Sequence, residues 1–154
     1  MGSVVSGREH EVSVSRTGPH EFLGRNSRGA TVRLGFADAE EAFTPGELLQ
    51  IALAGCMSLT VEELVTRRAG EDAALEATAG SWRAPGVREY QRIWVDLDVD
   101  LSFLDTVTRE RVAAAMRRAV EGQCTAHRTL EKGAEIALAV ETDRASNTAL
   151  QKLP

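Results

Sequence analysis

The chain has 154 residues, 43% of them hydrophobic and 27% charged, with a formal net charge of -5. That length fits one domain with a core of its own, and the balance is that of a globular protein. The negative charge argues against a broad electrostatic grip on nucleic acid. No apolar run reads as long enough to span a bilayer, and "MGSVVSGREHEVSV" has no apolar leader stretch, so the expectation is a cytoplasmic protein without a membrane partner. The two cysteines, Cys56 and Cys124, do not make a secreted disulfide framework, although a transient redox pair is compatible with a reducing compartment.

"EVSVSR" alternates apolar and polar residues and reads as a strand, followed by turn chemistry in "RTGPH". "EFLGRN", "SRG" and "ATVRLGF" read as a hairpin with Gly29 in its turn and Val32 and Leu34 on one face. An acidic loop, "ADAEEA", leads into the longest element, "FTPGELLQIALAGCMSLTVEELV". Thr44 is suited to the N-cap, Pro45 to the first helical position, and Glu47 completes a capping box. The helix runs to about Arg68, with Gly70 as its stop. Its first half is apolar all round, which predicts burial on several sides, and "AGC" reads as a patch of close packing.

"LEATAGSWRA" and "RIWVDLDVDL" read as strands. In the second, Ile93, Val95, Leu97, Val99 and Leu101 alternate with Trp94, Asp96, Asp98 and Asp100, so one face meets a core and the other water. The aspartates sit on one extended strand without a glycine-bearing calcium loop, and so read as a solvated face and not as a metal site. A second helix spans about Thr108 to Glu121, with Gly122 interrupting it. "CTAHRTLEKG" reads as a short further helix capped by Gly133, and "AEIALAV" as a last strand using Ile136, Leu138 and Val140. The first eight residues and the tail from residue 143 to 154 read as flexible arms on a single domain. The order gives an α+β fold with antiparallel sheets and two main helices. One small sheet gives those apolar helices too little cover, and dimerisation would supply it.

Cys124 falls at the start of the short helix, where free backbone N–H groups favour a thiolate. His127 and Arg128 follow within one turn, and their positive charge would tune Cys124 in the same direction. Cys56 lies in mid-helix with Ala52, Leu53, Leu59 and Thr60 at helical spacing, none of them a cation. By periodicity alone it reads as a packed core residue, and any activating group must come from elsewhere in the fold or from a second chain. Glu47 is nine residues from Cys56. At ~100° and ~1.5 Å per residue it lies on the opposite face and about 13 Å away, so within one chain it is a capping residue. There is no CxxC and no HExxH, and His10, His20 and His127 are scattered. No phosphate-binding glycine motif or nucleophile elbow appears.

"FTPGELLQIALAGC", followed much later by "AVEGQCTAHRTLEKGAEIAL", resembles the OsmC/Ohr family of thiol-dependent hydroperoxide reductases, with "RTGPHEFLGRNSRGATVRLGF" similar to its N-terminal sheet. The resemblance covers roughly Glu11 to Glu141. It implies an intertwined homodimer with its sites at the subunit interface and no cofactor or metal. It also implies a peroxidase in which Cys56 attacks an organic hydroperoxide, Cys124 resolves the sulfenic acid as a disulfide, and a small dithiol or thiol reduces that disulfide. Family peroxidases carry a glutamate directly after the helix-start proline, where this chain has Gly46, with Glu47 one residue later. They also use an N-terminal arginine to hold the thiolate, for which Arg16 and Arg25 are the candidates. The departure at Gly46 motivates a second reading, an OsmC-like dimer that binds a small ligand or senses oxidants with little or no turnover.

Overall fold

The computed structural model describes residues 11–142. His10 and the arms expected at residues 1–8 and 143–154 lie outside the described residues. Three strands come first: β1 (Val12–Gly18), β2 (Glu21–Asn26) and β3 (Thr31–Leu34), antiparallel in the order β1-β2-β3. The Asn26 side chain closes the β2–β3 turn by accepting from the backbone N–H groups of Arg28 and Ala30, each at 3.0 Å. Gly29 takes φ +93° there, a conformation few side chains tolerate.

Helix α1 (Pro45–Ala69) begins as its sequence dictates. Glu47 N–H donates to Thr44 Oγ1 at 3.2 Å, and Thr44 N–H donates to Glu47 Oε2 at 2.8 Å. Gly70 ends it, its N–H bonded to Thr66 O at 2.8 Å. The second sheet pairs β4 (Leu75–Trp82) with β5 (Arg92–Val99) in antiparallel register from Leu75↔Val99 to Trp82↔Arg92. Its inner face carries Leu75, Ala77, Ile93, Val95, Leu97 and Val99, while Trp94, Asp96 and Asp98 face outward. Among the described residues no acidic, histidine or cysteine cluster is placed to hold a metal ion.

Helix α2 (Thr106–Gln123) is N-capped by Asp105, and α3 (Thr125–Lys132) follows after a single residue, Cys124. The core forms where α1, α2 and β5 meet: Val61, Val65, Leu101, Val112, Met116, Val120 and Cys124. The N-terminal sheet stands apart from it and makes no extensive contact with the helices or with the second sheet.

Four expectations need correction. The apolar side of α1 is not enclosed: Leu49 and Ile51 in its first half, and Leu59 beyond, are exposed, and no described residue covers that side. Gly55 faces open space, so the "AGC" patch has no close neighbour on that side. By length and composition α1 does reach what a membrane crossing requires, since its charges gather at its two ends, although it packs against β4, α2 and α3. The segment "AEIALAV" forms no strand, and Ile136 is 91% exposed, because among the described residues no strand pairs with it to satisfy its backbone. A smaller difference is that α2 passes through Gly122 and ends at Gln123.

Candidate functional site

Two elements set the site. Helix α1 carries Cys56 on the border between its packed and open sides, partly exposed and against the core cluster. The α2–α3 junction carries Cys124, which has 0% exposure. Its φ of -71° and ψ of 109° let it end α2 and start α3 at once. Cys124 N–H bonds Val120 O at 3.0 Å, and Arg128 N–H bonds Cys124 O at 3.0 Å.

The first N–H groups of a helix have no partner inside it. Cys124 makes no side-chain cap for α3. The donors go instead to sulfur: Thr125 and Ala126 N–H point at Cys56, and His127 N–H points at Cys124. Partial burial works against a Cys56 thiolate. The Ala126 N–H, the Cys124 S–H and the Thr125 N–H outweigh it and hold the Cys56 pKa below the ordinary thiol value. Burial pushes Cys124 the other way. The His127 N–H and the Thr60 hydroxyl favour its thiolate, but its bond to Cys56 and the charge there add to the rise. Of the two thiols, Cys56 is the one favoured as the thiolate.

The sequence reading gave the advantage of this helix start to Cys124. The structure sends most of it to Cys56, because the first two N–H groups of α3 face back toward α1. Within this chain, the group that favours the Cys56 thiolate is a second helix terminus. "QCTAHR" held the signal, a helix start with no Ser, Thr, Asp or Asn at its cap, but only the packing of α3 on α1 shows which sulfur receives the donors.

The other candidate residues fall as follows. The His127 ring lies 3.5 Å from Glu131 Oε2. Arg128 Nη1 donates to Glu121 O at 3.3 Å and Gly122 O at 3.4 Å, at the C-terminal end of α2, where a cation suits the dipole. Glu47 is held in the capping box. Arg16 and Arg25 lie on β1 and β2, away from both thiols, and differ in face. Arg16 pairs with Phe22 and shares the side of Val12, Val14, Val32 and Leu34; Arg25 pairs with Ser13 and Thr31 on the polar side.

Gly46 has a steric reason. A Cβ there would sit 2.0 Å from the Tyr90 hydroxyl. Tyr90 comes from the β4–β5 loop with Arg83 stacked over its ring at 5.7 Å, so the slot beside Pro45 is filled by a phenol. Sequence reasoning missed Tyr90. A concavity of about 920 Å³ runs along β5 against α2, with Met57 and His127 among its lining residues and neither thiol there.

Known proteins share this arrangement at the level of sequence and fold. Residues 37–139 match the family described as OsmC-like protein. An uncharacterized protein of Mycobacterium tuberculosis is 38% identical over 127 residues, spanning 82% of this chain and 93% of the relative. Its Mycobacterium bovis counterpart matches equally. Among solved structures, an OsmC-like protein of Mycoplasma pneumoniae superposes with a TM-score of 0.60 at 13% identity, covering 81% of this chain and 89% of that one. The organic hydroperoxide resistance protein of Bacillus subtilis gives 0.55 at 16% identity, over 81% and 92%. The fold is theirs, and by sequence the chain belongs to the OsmC-like protein family.

Proposed function

We propose that the protein is a thiol peroxidase for organic hydroperoxides. One observation carries this reading: two cysteines distant in sequence meet in one core cluster, Cys124 buried within it and Cys56 partly exposed at its edge, with helix N–H groups favouring the Cys56 thiolate. Cys56 S⁻ attacks the outer peroxide oxygen. The O–O bond breaks, the alkoxide leaves and takes a proton from solvent, and Cys56 becomes a sulfenic acid. Cys124 sulfur then attacks Cys56 sulfur, expelling the hydroxyl as water, and a disulfide remains for a small thiol or dithiol to reduce. The open side of α1 at Ala52, Gly55 and Leu59 lies next to Cys56 and suits a hydrocarbon substituent.

A homodimer belongs to this reading. The exposed face of the N-terminal sheet and the exposed start of α1, at Leu49 and Ile51, offer each other cover, which leaves the approach beside Gly55 and Leu59 open, and Arg16 lies on the sheet face that would be covered. We therefore favour Arg16 over Arg25 as the arginine brought to Cys56 from a second chain. The test is consumption of cumene hydroperoxide by reduced protein, with thiols counted afterwards. Loss of two thiols per peroxide is expected, Cys56→Ser abolishing turnover and Cys124→Ser leaving a trappable sulfenic acid. Turnover by Cys56→Ser at the parent rate would refute the proposal.

The Tyr90 hydroxyl at Gly46 favours a second reading, since it closes the slot where family peroxidases place a carboxylate. The chain would then bind a ligand or sense oxidants without sustained turnover. Stabilisation by a hydroperoxide analogue in a variant lacking both thiols, with no peroxide consumption by the parent, would support it.

A further inference from the structure

The disulfide offers an incoming thiol two sulfurs, and they are not equivalent. Cys124 is enclosed by Val61, Val65, Val112, Met116 and Val120, with 0% exposure. Cys56 lies at the rim of that cluster beside the open positions Gly55 and Leu59. Thiol–disulfide exchange needs the attacking sulfur to approach in line with the S–S bond. Cys56 keeps exposed surface beside Gly55 and Leu59 from which a thiol can approach, whereas Cys124 keeps none. The line to Cys124 would pass through packed valines.

We propose that reduction is regiospecific: the thiol attacks Cys56 and expels Cys124. This rests on the two-cysteine cycle proposed above for its place in turnover, although the disulfide chemistry stands without the peroxide step. The thiolate RS⁻ forms a bond to Cys56 sulfur as the Cys56–Cys124 bond breaks. The electron pair goes to Cys124, where the His127 N–H and the Thr60 hydroxyl receive it until it takes a proton. The Thr60 hydroxyl donates to Cys56 O at 2.7 Å in the reduced protein and turns from it to do so. A dithiol completes the cycle when its second thiolate attacks the sulfur of its own first arm, releasing Cys56 S⁻ and leaving as a cyclic disulfide. Two electrons and two protons pass from dithiol to protein.

Leaving-group acidity opposes this direction, because Cys56 is the more acidic thiol and would depart more readily. Access decides against it. A difference in leaving-group pKa modulates a rate, whereas a sulfur with no accessible surface is not attacked until the core opens.

The test forms the disulfide with diamide, so no peroxide chemistry is involved. A brief pulse of limiting 2-mercaptoethanol follows, then denaturation in excess N-ethylmaleimide and peptide mass mapping. The expected product carries mercaptoethanol on the Cys56 peptide and maleimide on the Cys124 peptide, with the reverse adduct at least tenfold rarer. Adducts on Cys124, equal labelling of both, or failure of diamide to join the two cysteines would overturn the proposal. Failure of the peroxide reaction alone would refute the peroxidase reading and leave this one standing.

Discussion

Four valines separate two regions of the molecule. Val61 and Val65 on α1 are 0% and 1% exposed, whereas Val12 and Val14 on β1 are 70% and 57% exposed. The first pair closes the core around Cys124 and needs nothing outside the chain. The second pair lies on a face with Phe22, Val32 and Leu34 on which, among the described residues, no other element packs extensively. A three-stranded sheet is stabilised by burying such a face, so the N-terminal region is incomplete alone while the thiol region is complete. Under the proposed function that difference would divide the work: the pairing of the two sulfurs belongs to one chain, and the surroundings of a peroxide would be left to a second surface.

The largest expected effect lies in the complete region. Val65→Asp places a carboxylate among Val61, Met116 and Val120 with no cation to meet it, and should cost at least about 4 kcal/mol, leaving a chain with no cooperative thermal transition. A retained transition would mean that this core is not what holds the fold.

Next comes the contact between α1 and the β4–β5 loop. Gly46→Ala pushes a methyl group into the Tyr90 hydroxyl and should destabilise by about 1–3 kcal/mol in denaturant titrations. Tyr90→Phe removes the nearest atom, so the double variant should recover part of the loss. Strict additivity would show that Gly46 is tolerated for some other reason.

Local rules made most of the elements legible. The capping box at Thr44 and Glu47, the stop at Gly70, the turn at Gly29 and the alternation from Ile93 to Val99 each state a structure within a few residues. The failures share one cause. The apolar content of α1 asks for burial and that of the segment holding Ile136, Leu138 and Val140 asks for a strand, and composition does not say which surface provides either. The candidate site was half legible. Both cysteines stood out, but the donors to Cys56 are backbone groups with no residue signature, and Tyr90 acts through a steric contact that only the fold creates.

A change confined to those donors should leave stability almost untouched. Thr125 is the first helical residue of α3, where proline fits, and Cys124 before it already holds the extended conformation that proline requires. Thr125→Pro removes one N–H from Cys56, so its pKa should rise and its alkylation by iodoacetamide at pH 7 should slow severalfold, with the melting temperature kept. An unchanged rate would mean that Thr125 does not support the thiolate.

The two thiols also predict opposite pH slopes of stability. Cys56 ionises below the ordinary 9.0 when folded, so between its folded pKa and 9.0 the unfolded chain binds more protons and stability rises with pH. Cys124 ionises above 9.0 when folded, so stability falls from there as pH rises through its folded pKa. Denaturation midpoints across alkaline pH should therefore pass through a maximum, and Cys56→Ser should remove the rising limb. A monotonic fall in the parent chain would contradict the depressed Cys56.

The smallest effect comes from making one substitution in both regions. Valine to threonine keeps the branched shape and adds a hydroxyl. At Val61 that hydroxyl enters a closed core and should cost about 1–3 kcal/mol. At Val14 it meets solvent in the separate chain and should change stability by less than about 0.5 kcal/mol in dilute protein. The comparison sharpens with concentration. If a second copy covers β1, Val14→Thr should lower the melting temperature only where the parent's own melting temperature has begun to climb with protein concentration, while the deficit of Val61→Thr stays constant. A Val14→Thr deficit that does not vary with concentration would place the cover for that face within the chain itself, and the N-terminal sheet would then be as complete as the thiol region.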